Sequence, residues 1–250
     1  SLDGKTLFSG SEFSANEGQT IKVWDVSDPQ NVRQIGDALT DHTKTARTVA
    51  ISHDGTRLAS SSADTTIILW DISNLSAGVK KIATFKYHTR EAVNVAFSPD
   101  GQLLAAASED GKLSLWDLTD PGDDDQPVGF LEGGHTAHPR AVAFSPDGRM
   151  LASGGADSTV ILWDVATRRR IGPALYGHSD WVRGVAFNND GSKLASASSD
   201  SLVILWDVSF SSWKERACNI VARNLTQAEW NSYFPDRPYE KTCEAYPPGE

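Results

Sequence analysis

Four histidines recur at a nearly fixed interval: His42, His88, His135 and His178 stand 46, 47 and 43 residues apart. Each is followed at constant distance by an aspartate (Asp64, Asp110, Asp157, Asp200) and then a tryptophan (Trp70, Trp116, Trp163, Trp206). In three of the four sets a serine lies between, at Ser60, Ser153 and Ser196. Histidine with aspartate could hold a metal or move a proton. With serine added, the types are those of nucleophilic catalysis. The likeness to a catalytic triad is one of composition only, because triads are recognised by geometry and roles. Here, moreover, the same set recurs unit after unit.

The elements that must position these residues follow one template. From each His to the next Trp the sequence reads as an apolar strand, a turn, a second apolar strand, an Asp turn and a strand ending in Trp-Asp. In the fourth unit the expected strands are residues 140–144, 150–153 and 160–164, with a looser fourth strand over 170–175. Ser145-Pro146-Asp147-Gly148 is a turn: proline fixes φ, aspartate bonds its own backbone, and glycine supplies φ > 0. Equivalent turns stand at residues 52–55, 98–101 and 188–191. Five Trp-Asp endings, Trp24-Asp25, Trp70-Asp71, Trp116-Asp117, Trp163-Asp164 and Trp206-Asp207, are spaced 46, 46, 47 and 43 residues apart. Short strands with regular turn signals indicate an all-β fold, and a period of roughly 45 residues indicates four-stranded blades.

The Trp-Asp endings, the Gly134-His135 and Gly177-His178 pairs and the Pro-Asp-Gly turns together resemble the WD40-repeat β-propeller family, over about residues 1–208. The first unit opens at residues 7–11 as a second strand, so its innermost strand is missing. The last ends at residues 206–208 without a clear outer strand. Family members are commonly seven-bladed, so the resemblance implies the C-terminal part of a longer seven-bladed ring. A small five-bladed ring is the alternative. The chain opens Ser1-Leu2 without methionine, and further polypeptide is expected upstream.

The resemblance also assigns the histidine sets a structural role. Each His is expected to bond the strand Ser and the turn Asp, with the Asp network reaching the blade's Trp. The sets are His42, Ser60, Asp64, Trp70; His135, Ser153, Asp157, Trp163; and His178, Ser196, Asp200, Trp206. In the third unit Ala106 replaces the serine, so the network of His88, Asp110 and Trp116 is expected to be incomplete. The first unit has Gly18 where the Asp belongs.

Function is expected on the upper rim of the propeller, where family members commonly dock partners. The third residue after each His is Thr45, Glu91, His138 or Trp181, and the fifth is Arg47, Val93, Arg140 or Arg183. Three arginines at one equivalent position would form a local positive site suited to carboxylate or phosphate, with Trp181 as an aromatic anchor. The alternative is that these arginines are solvated or pair with acidic neighbours. Residues 12–20 form a longer loop on the same face, where Phe13 could be an exposed contact.

Other features carry less. The acidic run at residues 120–125 lacks the ligand spacing of a calcium loop. Arg168-Arg169-Arg170 is too short to imply nucleic acid. Cys218 and Cys243 either bridge or pack reduced, and no metal-ligand spacing accompanies them. After residue 208 the repeat stops. Trp213, Ala217, Ile220 and Val221 recur at helical spacing, and Thr226-Gln227-Ala228-Glu229 fits a capping box opening a second helix. Residues 209–250 are thus expected to be a tail of two short helices packing on the propeller. The tail resembles one that follows propellers in bacterial multidomain signalling proteins, some with an upstream nucleotide-binding switch ATPase.

A net charge of −10 argues against a general nucleic-acid or anionic-membrane surface, and no apolar run reaches the roughly 18 residues of a membrane helix. The setting is expected to be cytoplasmic. No phosphate loop, zinc-protease motif or nucleophile elbow appears. The leading expectation is a non-catalytic scaffold or sensor that binds a protein or peptide without a cofactor. An enzyme in the channel, of hydrolase type, and an assembly module pairing through open blade edges are the alternatives.

Overall fold

The computed structural model describes residues 1, 3–10, 20–122, 126–131, 134–233 and 238–249. The strands form five antiparallel sheets, each sequential in the chain, as a propeller's blades are. The second blade is complete: an inner strand Ala46–Ile51, then Arg57–Ser62, Ile67–Asp71 and an outer strand Lys80–Phe85. The third runs Ala92–Phe97, Leu103–Ser108, Leu113–Asp117 and Gly129–Phe130. The fourth runs Pro139–Phe144, Met150–Gly155 and Thr159–Asp164. Its outer strand is not one piece over 170–175 but two, Arg169–Arg170 and Leu175–Tyr176. Gly172 at φ 69° and Pro173, which has no N–H to donate, break the ladder between them.

The end blades have three strands each. Among the described residues the first holds Thr6–Gly10, Ile21–Asp25 and Arg33–Gln34, without an innermost strand, and the fifth holds Val182–Phe187, Lys193–Ser198 and Val203–Asp207, without an outer strand. In the four blades with inner strands, the turn that follows ends in glycine at φ 69–71°. Gly4 has the same conformation, at φ 68°, and donates its N–H to the Ser1 carbonyl at 3.1 Å. The lower ends of the inner strands surround a cavity of about 670 Å³ lined by Ile51, Phe97, Phe144 and Phe187 among others.

Packing between blades explains the apolar alternation. A blade's third strand turns two residues toward the next blade. Ile21 and Val23, Ile67 and Leu69, Leu113 and Leu115, and Val160 and Leu162 are all 3 % exposed or less. They meet the next blade's second-strand leucine and its tryptophan: Ile67 and Leu69, for example, pack with Leu104 and Trp116. The fifth blade has no such neighbour, and there Val203 and Leu205 are 68 % and 73 % exposed. At the other end Leu7 is 53 % exposed, whereas its equivalents Leu58, Leu104, Leu151 and Leu194 are fully buried.

The tail begins directly after the fifth blade. Helix α1 (Phe210–Val221) is capped by Ser209, whose hydroxyl accepts from the Ser212 N–H, and ends at Ala222 in the left-handed region. Trp213 packs against Val208 between the fourth and fifth blades and donates its indole N–H to the Asp207 carbonyl at 2.9 Å. Helix α2 (Gln227–Tyr233) opens with the expected capping box: Glu229 N–H reaches the Thr226 hydroxyl at 3.1 Å, and Thr226 N–H the Glu229 carboxylate at 2.9 Å. Cys218 and Cys243 are bridged, with Cα atoms 5.5 Å apart. Inside the tail Asn224 is fully buried, and its amide nitrogen donates to the carbonyls of Cys243, Tyr246 and Pro247.

Equivalent leucines on the two kinds of blade face should respond differently. We expect Leu69→Ala to cost about 2–5 kcal/mol, as a filled interface is emptied. Leu205→Ala, at the equivalent but exposed position, should cost less than about 0.5 kcal/mol. Urea unfolding of the two variants checks this.

Candidate functional site

Each complete brace is one line of hydrogen bonds. In the fourth blade the Trp163 indole N–H donates to the Ser153 hydroxyl oxygen at 2.8 Å. The serine, its oxygen already accepting, gives its own proton to His135 Nε2 at 2.8 Å. That leaves the His135 proton on Nδ1, facing the Asp157 carboxylate at 3.0 Å. The two ends are fixed because an indole can only donate and a carboxylate only accept, and with one proton on the imidazole the serine is the donor to Nε2. The second and fifth blades repeat the geometry: His42 Nδ1 lies 3.1 Å from Asp64 and Nε2 2.8 Å from Ser60, and His178 stands at 2.9 Å from Asp200 and 2.8 Å from Ser196. The tryptophan is therefore joined through serine rather than through aspartate.

The aspartate has a second task. One oxygen holds its own turn, as Asp64 does for the Thr66 N–H at 2.9 Å. The other takes the N–H of the residue after the histidine: Thr43 and Thr136 at 2.7 Å, Thr89 at 3.1 Å and Ser179 at 2.9 Å. Burial works to raise these four carboxyls. The histidine and backbone donors outweigh it, so Asp64, Asp110, Asp157 and Asp200 all lie below the usual carboxylate range.

The third blade corrects the expectation of a broken network. Ser114 takes the place of the missing serine: His88 Nε2 and the Trp116 indole N–H both meet its hydroxyl at 2.9 Å. Register explains the exchange. Ser114 sits directly across the strand pair from Ala106, where the other blades pair serine with isoleucine, as in Ser60 with Ile68 and Ser153 with Ile161. The hydroxyl has crossed to the partner strand and returned to the same point in space. Phe85 stacks on the tryptophan at 4.6 Å, and Tyr87 meets it edge-on at 6.4 Å. In the first blade Trp24 still bonds a serine, Ser9, at 2.8 Å, while Gly18 and the loop with Phe13 lie outside the described residues.

The rim is built by two backbone devices that single-sequence reasoning did not detect. The third residue after each histidine is fixed by its carbonyl: Thr45, Glu91, His138 and Trp181 accept from Ala63, Glu109, Ala156 and Ser199 at 2.8–2.9 Å. The fifth residue falls at a β-bulge, where the register of the inner strand shifts past Arg47, Val93, Arg140 and Arg183. A bulge re-aims the side chain of its extra residue.

Here the arginines do not form one free positive cluster. Arg47 pairs with Glu91 of the third blade, its Nε at 2.8 Å. Arg140 reaches Glu109 at 3.0 Å and lays its guanidinium 4.4 Å from the centre of the Trp181 ring. Arg183 stands 4.7 Å from the same ring and donates to the Ser199 hydroxyl at 2.8 Å. Two of the three are thus tied to acids, as the alternative reading of the sequence had it. Trp181 remains 39 % exposed.

Both nitrogens of each brace histidine are engaged, and the four side chains are at most 2 % exposed. Among the described residues no cluster of histidine, cysteine and carboxylate groups could hold a metal ion. The acidic run at 120–125 lies partly outside them.

The serine exchange can be tested directly. Ser114→Ala should cost about 1–3 kcal/mol, since it strands a buried histidine and a buried indole N–H. Adding Ala106→Ser should recover most of that loss in urea unfolding. No recovery would mean that something other than the position of the hydroxyl holds the blade.

Comparison with known families agrees with the geometry. The model of the WD domain, G-beta repeat, matches residues 33–71, 79–117, 126–164 and 170–207. Among curated proteins no relative matches the sequence. The matched stretches each close on a Trp-Asp ending and together span more than half of the chain. The chain belongs to the WD domain, G-beta repeat (WD40) family.

Proposed function

We propose that the chain is a non-catalytic interaction module that binds a protein or peptide on its upper rim. WD40 repeats generally mediate protein–protein contacts, and that is the frame for the reading. The observation that carries it is the division of labour among the polar residues. The His–Ser–Asp sets are consumed in bracing the blades. Trp181 is held by its backbone, flanked by two guanidiniums and left partly open. An indole so placed offers contact area at little ordering cost, which is how aromatic anchors work at interfaces. In this reading Thr45, His138 and Trp181 line the contact surface, while Arg47, Glu91 and Arg140 give it shape.

The proposal has two parts beyond the rim. Residues 1–208 act as a propeller unit belonging to a seven-bladed ring, completed by two further blades that pack on the open faces of the first and fifth. Residues 209–250 form a disulfide-tied tail seated on the fifth blade. In a larger signalling protein such a module would regulate an upstream effector, and support for that context is the tail's resemblance alone. Net charge favours a protein partner over nucleic acid or membrane. The Cys218–Cys243 bridge favours an oxidising setting over the cytoplasm, since structural disulfides persist in oxidising surroundings.

A random peptide library panned on the chain tests the rim. Trp181→Ala should weaken the enriched peptides at least ~10-fold, consistent with the loss of an aromatic anchor. Trp181→Phe should retain most of the affinity. Peptides that bind Trp181→Ala as well as the parent would place the site elsewhere.

A further inference from the structure

The rim contacts obey a rule of position. Counting from each histidine, the fifth residue of one blade reaches the third residue of the next. Arg47 of the second blade meets Glu91 of the third, and Arg140 of the fourth meets Trp181 of the fifth. The bulge turns the fifth residue sideways and the backbone bond presents the third to it. Between the third and fourth blades the fifth position is Val93. That junction is closed by neighbouring groups instead: Glu109 takes Arg140, and Asn94 accepts the Val142 N–H at 3.0 Å.

Arg183 occupies the fifth position of the fifth blade, in the same bulge. Among the described residues no carboxylate reaches it. It folds back on its own blade, to Ser199 and Trp181. On the same side, Val203 and Leu205 expose the face that every earlier blade buries. Charge and apolar surface thus point to one occupant.

We propose that Arg183 is a latch for a further WD-type blade, one that carries an acidic or aromatic side chain at the third position after its histidine. This rests on the seven-bladed reading and deepens it. The occupant's chemistry is copied from the junctions already present: a second-strand leucine and a third-strand tryptophan over Val203 and Leu205, and a carboxylate or ring over Arg183. A second copy of the chain does not fit. Its open blade of the right hand is the first, which among the described residues has no inner strand and so offers no third-position side chain to Arg183. The occupant is therefore a blade on polypeptide ahead of Ser1, which also supplies the inner strand of the first blade.

The test uses the chain alone and an extended chain built from its own segments. Residues 80–187 are joined directly to Ser1. They supply an outer strand for the fifth blade, copies of the third and fourth blades, and an inner strand for the first. A second Glu91 is thereby set opposite Arg183. In the unextended chain, Arg183→Ala should lower stability less than Arg47→Ala, since it gives up only contacts within its own blade, while Arg47→Ala and Glu91→Ala should show about three-fold coupling in the unfolding equilibrium, the size of a partly exposed ion pair. In the extended chain Arg183→Ala should become costlier by a similar factor, and the added cost should vanish when the copied Glu91 is already alanine. Leu205→Cys reports the face separately: the introduced thiol should react with iodoacetamide in the unextended chain and be protected in the extended one. Protection without coupling would overturn the latch and leave the ring. A thiol still reactive in the extended chain would overturn both. The latch would also fall if Arg47 and Glu91 showed no coupling, whatever the extended chain does. An Arg183→Ala loss equal to that of Arg47→Ala in the unextended chain would overturn it too.

Discussion

A four-stranded blade has two apolar faces and too little thickness to bury either one by itself. Its stability comes from its neighbours, as in other repeat folds. The rest of the molecule follows from that constraint. The third strand carries Ile67 and Leu69, or their equivalents, toward the next blade, and the second strand carries the leucine that receives them. Each buried aliphatic side chain of this size contributes about 1.5–3 kcal/mol relative to exposure. The tryptophan that closes each repeat lies at this seam, and its one polar atom needs a partner once buried. The serine–histidine–aspartate line satisfies it and, at its far end, ties down the loop on which the rim is built.

The repeat, its turns and most of the braces were legible because each depends on residue type at a constant offset. Where sequence reasoning fell short, pairing geometry was the reason. The third blade was expected to lack a serine, since the template fixes that residue to one strand. The requirement is a hydroxyl at a point where two strands cross, and Ser114 meets it from the other side. The directions of Arg47, Arg140 and Arg183 were hidden likewise, because a bulge exists only in the register between two strands. Cys218 and Cys243, 25 residues apart, could bridge or not on spacing alone, and the turn at Ala222 and the buried Asn224 bring them together.

Function divides along the same line as structure. Residues that repeat in every blade are spent on holding it. Residues that differ at the third and fifth positions decide what each junction looks like from above. An Arg–Glu pair at one junction and an Arg–Trp contact at another place charge and apolar surface side by side on a rigid rim. In the proposed reading this surface meets a protein or peptide, and Trp181, 39 % exposed, is its open aromatic group.

The claim underlying all of this is that packing between blades, more than hydrogen bonding within a blade, protects a strand. The two most similar repeats test it within one molecule, by amide hydrogen exchange of residues 157–164 and 200–207. Residues 160–164 also pair with outer strands and residues 203–207 do not, so the amides compared are those that pair with the second strand in both blades, and only the first set is covered by a following blade. The account predicts that these amides exchange on the order of 100-fold faster or more in residues 203–207 than in residues 160–164, as a locally opening unit does. Equal protection of the two strands would contradict it.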